Sequence, residues 1–455
     1  MRKRYPIEIV DDCTKTVFYP NDLSVSPEIQ TIAFGNKTVN AQFIPHPDNK
    51  NKICISKDIQ TELKFPDLMI PLHVFIENDT LFIGPLVGIF TAGFSPFLLR
   101  PIGERTLFFA KLLSVQNKVG ALAFVFGEQH IDWDQGIIKG YFYQQKGWEM
   151  IEIPFPNVVY DRLPNRKTER LSELRKIKER MQNDYLIPWY NPGFFNKLDV
   201  YERLVQDDTV SRFLPETHPF ISFSLMESML AKYGHIYVKP INGSLGMGIH
   251  QILYDKKDGS YYCRFRNSLG ENKLVKSGSL EGLVRRVFTN RKLGNLLIQQ
   301  GIHLIRIDKR QVDFRVHTNK DEHGAWRISA IAAKVAGSGS VTTHINNGGT
   351  IKTLEEIFPN NEEKDIYIHK LTNAALTLSQ VLENMMEGII GEIGFDMGID
   401  RNGDVWLFEA NSKPGRSIFK HPQLKKFDLL TRTCSLAFAV FLTEMAIKNP
   451  EEIFK

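Results

Sequence analysis

Residues 391–415 read GEIGFDMGIDRNGDVWLFEANSKPG, and no other stretch constrains this chain as tightly. Asn402-Gly403 is the strongest short-range hairpin signal, because a type I′ turn needs positive φ at both central positions. The flanks alternate as strands do. Folding at that turn sets Asp396 opposite Glu409, and two carboxylates facing each other across a ladder repel. Asn411 shares the face of Glu409. An Asp, a Glu and an Asn on one face supply hard oxygen ligands of the kind Mg²⁺ takes, together with nucleotide phosphates. The same residues also fit a solvated acidic hairpin with a structural Asn. If the metal reading holds, Asp396 and Glu409 tolerate each other only with a cation between them.

A second constellation is HIYVKPINGSLGMGIHQILYD, residues 235–255. It reads as strand, glycine-rich loop, strand. No helix follows the glycines, which excludes both the Walker A loop and the dinucleotide fingerprint. Gly243, Gly246 and Gly248 let backbone N–H groups approach an anion closely. Lys239 on the preceding strand offers a point charge for phosphate. A flexible surface hairpin with a strand lysine fits these residues too.

The third is LLIQQGIHLIRIDKRQVDFRVHTN, residues 296–319. A strand ends in the polar edge Gln299–Ile302, where backbone groups face outward and a flat base can pair with them. In VDFRVH, Asp313, Arg315 and His317 share one face while Val312, Phe314 and Val316 share the other. An Arg held on a strand suits a phosphoryl group through its planar donor fork; an exposed Asp–Arg pair is the alternative. Lys334 ends a strand of small residues, and His344 opens a glycine-rich loop at 344–349, as a ligand, a base or a plain surface residue.

Organisation and composition narrow the class. The 455 residues divide into a β-rich part at 1–82, an α/β part at 83–192 and a third part at 193–455. In the second, LVGIFTAG, a helix over 104–120 and ALAFVFG predict a βαβ unit with parallel strands. The last helix, about 423–448, reads as a core helix. Apolar runs such as Leu436–Leu442 fall short of a membrane span, so no insertion is expected. The start, MRKRYPIEIVDD, carries no apolar stretch of a signal peptide. Cys13, Cys54, Cys263 and Cys434 lack metal or disulfide spacing, which fits a reduced cytoplasmic protein. Net charge is +5, and the basic cluster at 163–180 is interleaved with Glu169, Glu173 and Glu179, as on a solvated helix rather than a nucleic-acid surface.

The order of these parts resembles the ATP-grasp superfamily: a lysine-bearing strand, a glycine hairpin, a hinge, a DxR strand, an NGG loop, then an acidic hairpin ending in ExN. The resemblance covers about residues 195–450. It implies an α/β fold (α+β ATP-grasp), in which residues 193–455 form the two-lobed ATP-grasp domain and 83–192 precede it as a pre-ATP-grasp domain. It also implies ATP as cofactor with Mg²⁺, or Mn²⁺. Lys197 in FNKLDVYERLV, Lys239, Asn242, Gly243, Ser244, Gly246 and Gly248 then meet the phosphates. Gln299, Gln300, Gly301 and Ile302 hold adenine, and Asp396, Glu409 and Asn411 hold the metal. Arg315 and Lys334 face the transferred phosphate and substrate, and Arg416 in NSKPGRS holds a carboxylate. More narrowly, the whole chain looks like the YheC/YheD proteins of spore-forming bacteria. That likeness implies a role in sporulation, coat association and other coat proteins as partners. The expected activity is ATP-dependent carboxylate–amine ligation on a carboxylate or peptide-like substrate; a kinase and an inactive structural coat protein are the alternatives. Two departures stand out: Gly301 where relatives carry a larger hinge residue, and Asp396 where a second Glu is common.

Overall fold

The structure, a computed structural model, describes residues 3–48, 50–68, 70–241, 248–289 and 293–454. The short N-terminal runs close into two small sheets. One joins Arg4–Tyr5, Leu72–Glu77, Thr80–Gly84, Thr31–Phe34 and Lys37–Asn40; the other joins Ile7–Val10, Ile53–Ser56, Thr16–Tyr19 and Gln42–Pro45. Strands this short cannot bury a face alone. Val17, Ile32, Phe34, Ile53 and Ile55 therefore share one core, which runs on into Phe90, Phe124 and Trp189 of the next sheet.

In that sheet Leu86–Phe90 lies parallel to both Leu122–Phe126 and Val158–Asp161. Helices Thr106–Leu113 and Gln116–Val119 make the crossover between the first two strands. Both of these are buried at every residue, as parallel strands covered on two faces must be. The sequence reading missed a strand at Ile137–Gln144, which forms a hairpin with Gly147–Pro154.

The remaining chain builds two further six-stranded sheets. The first runs Thr217–Pro219, Leu296–Gln300, His235–Pro240, His250–Asp255, Ser260–Arg266 and Asn272–Ser277; the second is built around Arg310–Lys320, between Trp326–Val335 and Glu392–Ile399. Val312, Phe314 and Val316 pack against Leu371, Ala374 and Leu378 of helix Asn361–Met385. The opposite face of that strand, bearing Asp313, Arg315 and His317, is left for polar chemistry.

Helix Lys425–Lys448 sends Leu436, Phe438 and Val440 into the core around Val87, Ile89 and Val125. By length and composition alone it could cross a membrane, which the reading by apolar runs did not anticipate, because Arg432 and Thr433 break its apolar stretch. Its apolar window is 56% buried inside the protein, the behaviour of a core helix.

The acidic hairpin forms, but not by the expected turn. Only Gly403 takes positive φ (83°); Asn402 does not. Asp400 pairs with Asp404, so three residues close the loop, a type I turn with a left-handed glycine rather than type I′. The Asp400 carboxylate holds it, accepting from the N–H groups of Asn402 and Asp404 and from Trp406 Nε1. That loop shifts the register by one residue. A bulge at Phe408 shifts it back, so Asp396 does face Glu409.

Candidate active site

Strand Arg310–Lys320 lies between Trp326–Val335 and Glu392–Ile399, and its register decides what meets. Arg315 pairs with Asp396 on one side; Asp313 pairs with Lys334 on the other. Arg315 donates both Nε and Nη2 to Asp396, each at 2.9 Å, a bidentate fork. Lys334 Nζ donates to Asp396 Oδ1 at 2.7 Å and lies 3.0 Å from Asp313 Oδ1. Thr343 donates to the other oxygen of Asp313. Burial pushes Asp396 up, but Arg315 and Lys334 outweigh it and hold the carboxyl well below its usual range. Burial also raises Asp313, against the pull of Lys334.

Across the hairpin, Glu409 is not left to repel Asp396. Lys197, the first residue of helix Lys197–Leu204, places Nζ 3.2 Å from Glu409 Oε2. The expectation that the two carboxylates coexist only with a metal between them is therefore overturned, since each has a protein cation of its own. Asn411 lies two residues on and donates Nδ2 to the Gly394 carbonyl at 3.3 Å.

A pocket between the two sheets is lined by Lys197, Lys239, Gln299, Leu407, Phe408 and Glu409, among others. Lys239 Nζ donates to Gln299 Oε1 at 2.9 Å, and Gln299 donates onward to Thr217 Oγ1. Burial, then the neighbouring Lys197, lower the Lys239 ammonium to about 8. Along the hinge, Gln300 alternates to the other side and its Oε1 accepts from the Glu216 N–H. The side chain of Gln300 therefore does not reach the pocket. Gly301 donates its N–H to the His235 carbonyl, and Ile302 is buried. A Cβ on Gly301 would stand 2.5 Å from that carbonyl oxygen, which is why this chain keeps glycine here. Gly248 has φ of 73°. Asn242, Gly243, Ser244 and Gly246 lie outside the described residues.

Arg416 sits apart from the Asp396 cluster. It is largely buried, with Glu392 Oε2 at 3.7 Å and Asp428 Oδ1 at 3.5 Å, and lies over the Phe108 ring. Its Nη1 and Nη2 make no hydrogen bond among the described residues, nor does either ring nitrogen of His317. Burial, then Arg315 and Arg416, keep His317 neutral, well below its usual range. Glu392 also accepts from Tyr160 and Arg162 on the parallel sheet. These contacts join residues 86–190 to the third part of the chain beside its polar face. Sequence reasoning did not single out Tyr160, Arg162 or Glu392, because nothing local marks residues that meet from 230 positions apart. Asp313 was visible on the shared strand face.

A family model described as YheC/D like ATP-grasp matches residues 186–442. The chain is 42% identical to the endospore coat-associated protein YheD of Bacillus subtilis (strain 168), over 99% of both chains. It is 22% identical to the endospore coat-associated protein YheC of the same organism, over 64% of this chain and 81% of that one. Among solved structures it is similar to the VanG D-Ala:D-Ser ligase from Enterococcus faecalis. That match is 12% identical, covers 79% of this chain and 99% of the other, and has a TM-score of 0.45.

Proposed function

The chain belongs to the YheC/D-like ATP-grasp family, and from that premise we propose that it binds Mg·ATP between its two C-terminal sheets and joins a carboxylate to an amine. The observation that carries the reading is the convergence of Lys197, Lys239 and Glu409 on one pocket, beside the Asp396–Arg315–Lys334 cluster. Four cations and two carboxylates within one polar face suit a triphosphate and its metal.

Asp396, Glu409 and Asn411 are hard oxygen donors of the kind Mg²⁺ takes, so the donor set fits the ion in kind. Among the described residues no three acidic or histidine side chains already form a metal cluster. Entry of nucleotide is therefore an exchange. Lys197, Arg315 and Lys334 would turn from carboxylate to phosphate oxygens, which would free Asp396 and Glu409 to hold Mg²⁺ together with Asn411. The ion supplies charge neutralisation at the phosphates. The hinge backbone at Gln299–Ile302 meets adenine. An acceptor carboxylate oxygen attacks the γ-phosphorus, its bond to ADP breaks, and an acyl phosphate forms. An amine nitrogen then attacks the acyl carbon, losing its proton as phosphate leaves. Arg416, whose two buried Nη groups are ion-paired but make no hydrogen bond, holds a substrate carboxylate. The reaction belongs to sporulation, in the cytoplasm and at the spore coat, with other coat proteins as partners.

A second reading is favoured by the ion pairs themselves. The Asp396 knot could be purely structural, in a coat protein that turns nothing over, since fold alone does not fix function. ADP release from Mg·ATP, assayed against panels of acids with and without amines, separates the readings. A ligase needs both co-substrates, a kinase needs the acceptor alone, and a structural protein releases no ADP with any pair.

A further inference from the structure

A second groove, of about 380 Å³, opens on the same sheet as the Lys239 pocket but over strands His250–Asp255 and Ser260–Arg266. His235 at its edge and Lys239 lie on one strand, two alternations apart, so both sites share a sheet face. Its volume is that of a small-molecule site. Arg264, Arg306, Lys309 and Arg310 line it with Gln251 and Gln311, and no Asp or Glu does. Arg310 has a partner in Asp308 at 3.3 Å. The side chains of Arg264, Arg306 and Lys309 make no ion pair or hydrogen bond among the described residues.

Cations of one sign gathered in a concave surface repel one another and focus their field outward, which draws in anions. The turn that carries two of them is itself costly. Asp308 and Lys309 both take positive φ, at 49° and 64°. A lysine held there is strained, yet that conformation is what folds strand Arg306–Ile307 back on Arg310–Lys320 at the groove's rim.

The groove also leads inward. Gln311 lines it, and Asp313 and Arg315 follow on the same face of the strand. At ~3.3 Å per residue, Arg315 is about 13 Å from Gln311. An extended anion seated in the groove thus reaches the Arg315–Lys334 cluster along one strand face. We propose that this groove binds a polycarboxylate, a stretch of acidic peptide or a small polyacid, and feeds one of its carboxylates to the Arg315–Lys334 centre. Guanidinium forks at Arg264 and Arg306 suit carboxylate oxygens. The delivery half rests on the ligase reading; the binding half does not.

Fluorescence anisotropy of labelled hexaglutamate, without nucleotide, tests the binding half alone, so a failure to bind ATP leaves this result readable. Hexaglutamate should bind and hexaglutamine should not. Arg264→Glu/Arg306→Glu should weaken binding at least tenfold. Both side chains are exposed, so the fold should survive. Arg175→Glu/Lys176→Glu, the same charge change on an exposed helix face, should leave binding within twofold. Competition by citrate at similar concentration assigns a small polyacid; competition by acidic peptide only assigns a peptide. Lysine acetylation footprinting of the wild-type chain needs no variant: hexaglutamate should shield Lys309 severalfold and leave Lys176 unchanged. Undiminished binding by the groove variant, an equal loss in the helix variant, an unshielded Lys309, or tripolyphosphate binding tenfold tighter than hexaglutamate would each overturn the proposal.

Discussion

Asp396 accepts hydrogen bonds from Arg315 and Lys334 together, so its removal strands the largely buried Arg315 and leaves Lys334 with Asp313 alone. Breaking a buried pair on one side costs about 3–5 kcal/mol. Asp396→Asn should therefore lower the stability in urea by about that amount, besides abolishing turnover. Glu409→Gln should behave differently. The Lys197–Glu409 pair is partly exposed, and pairs of that kind contribute about 1 kcal/mol or less. A small loss is thus expected, rather than the gain that simple repulsion from Asp396 implies. The pH dependence follows from the sign of the shift. The Asp396 carboxyl is depressed in the folded chain, so an unfolded chain takes up the proton first as pH falls. Its contribution is full above the ordinary carboxylate range and fades only in strong acid. Urea titrations of wild type and Asp396→Asn at pH 7 and pH 5 should show the same gap at both.

At the scale of elements, two local features decide where the site residues point. The three-residue turn at 401–403 and the bulge at Phe408 displace the register in opposite senses, and the displacements cancel at Glu409. Strand alternation was legible in VDFRVH because Val312, Phe314 and Val316 must enter a core. The turn type was not, because the Asp400 carboxylate overrides the Asn-Gly preference from outside the two central residues. The bulge leaves no mark in composition at all. Lys197, Lys239 and Glu409 were each legible singly from their motifs, but the Lys197–Glu409 pair needs a helix and a strand 212 positions apart. The hinge gives a direct test. In Gly301→Ala the new methyl meets the His235 backbone, which cannot swing aside as a side chain can. Overpacking of this kind costs about 1–3 kcal/mol. Thermal melts should show that loss, and nucleotide affinity should fall with it, because the hinge backbone moves.

Across the whole molecule, helix Lys425–Lys448 belongs by sequence to the third part of the chain but packs into the core of the parallel sheet. Glu392, Tyr160 and Arg162 tie the same two parts through a buried charge. Residues 86–190 should therefore not fold independently of the C-terminus. A chain ending at residue 421 should expose strands 86–90 and 122–126 to limited proteolysis, while full-length protein protects them. The βαβ unit was legible because its apolar runs are continuous; its dependence on a distant helix was not, since any apolar helix could have covered that face. The central claim is that this assembly holds a nucleotide against Lys239, and titration calorimetry of the full chain with ATP and Mg²⁺ tests it most directly. Wild type should bind at pH 7. Lys239→Ala should lose about 1.5–3 kcal/mol, the worth of a charge-assisted hydrogen bond. With the Lys239 ammonium lowered to about 8, wild-type affinity should weaken between pH 7 and pH 9, by up to about tenfold. No binding by wild type, or binding undiminished in Lys239→Ala, would contradict the account.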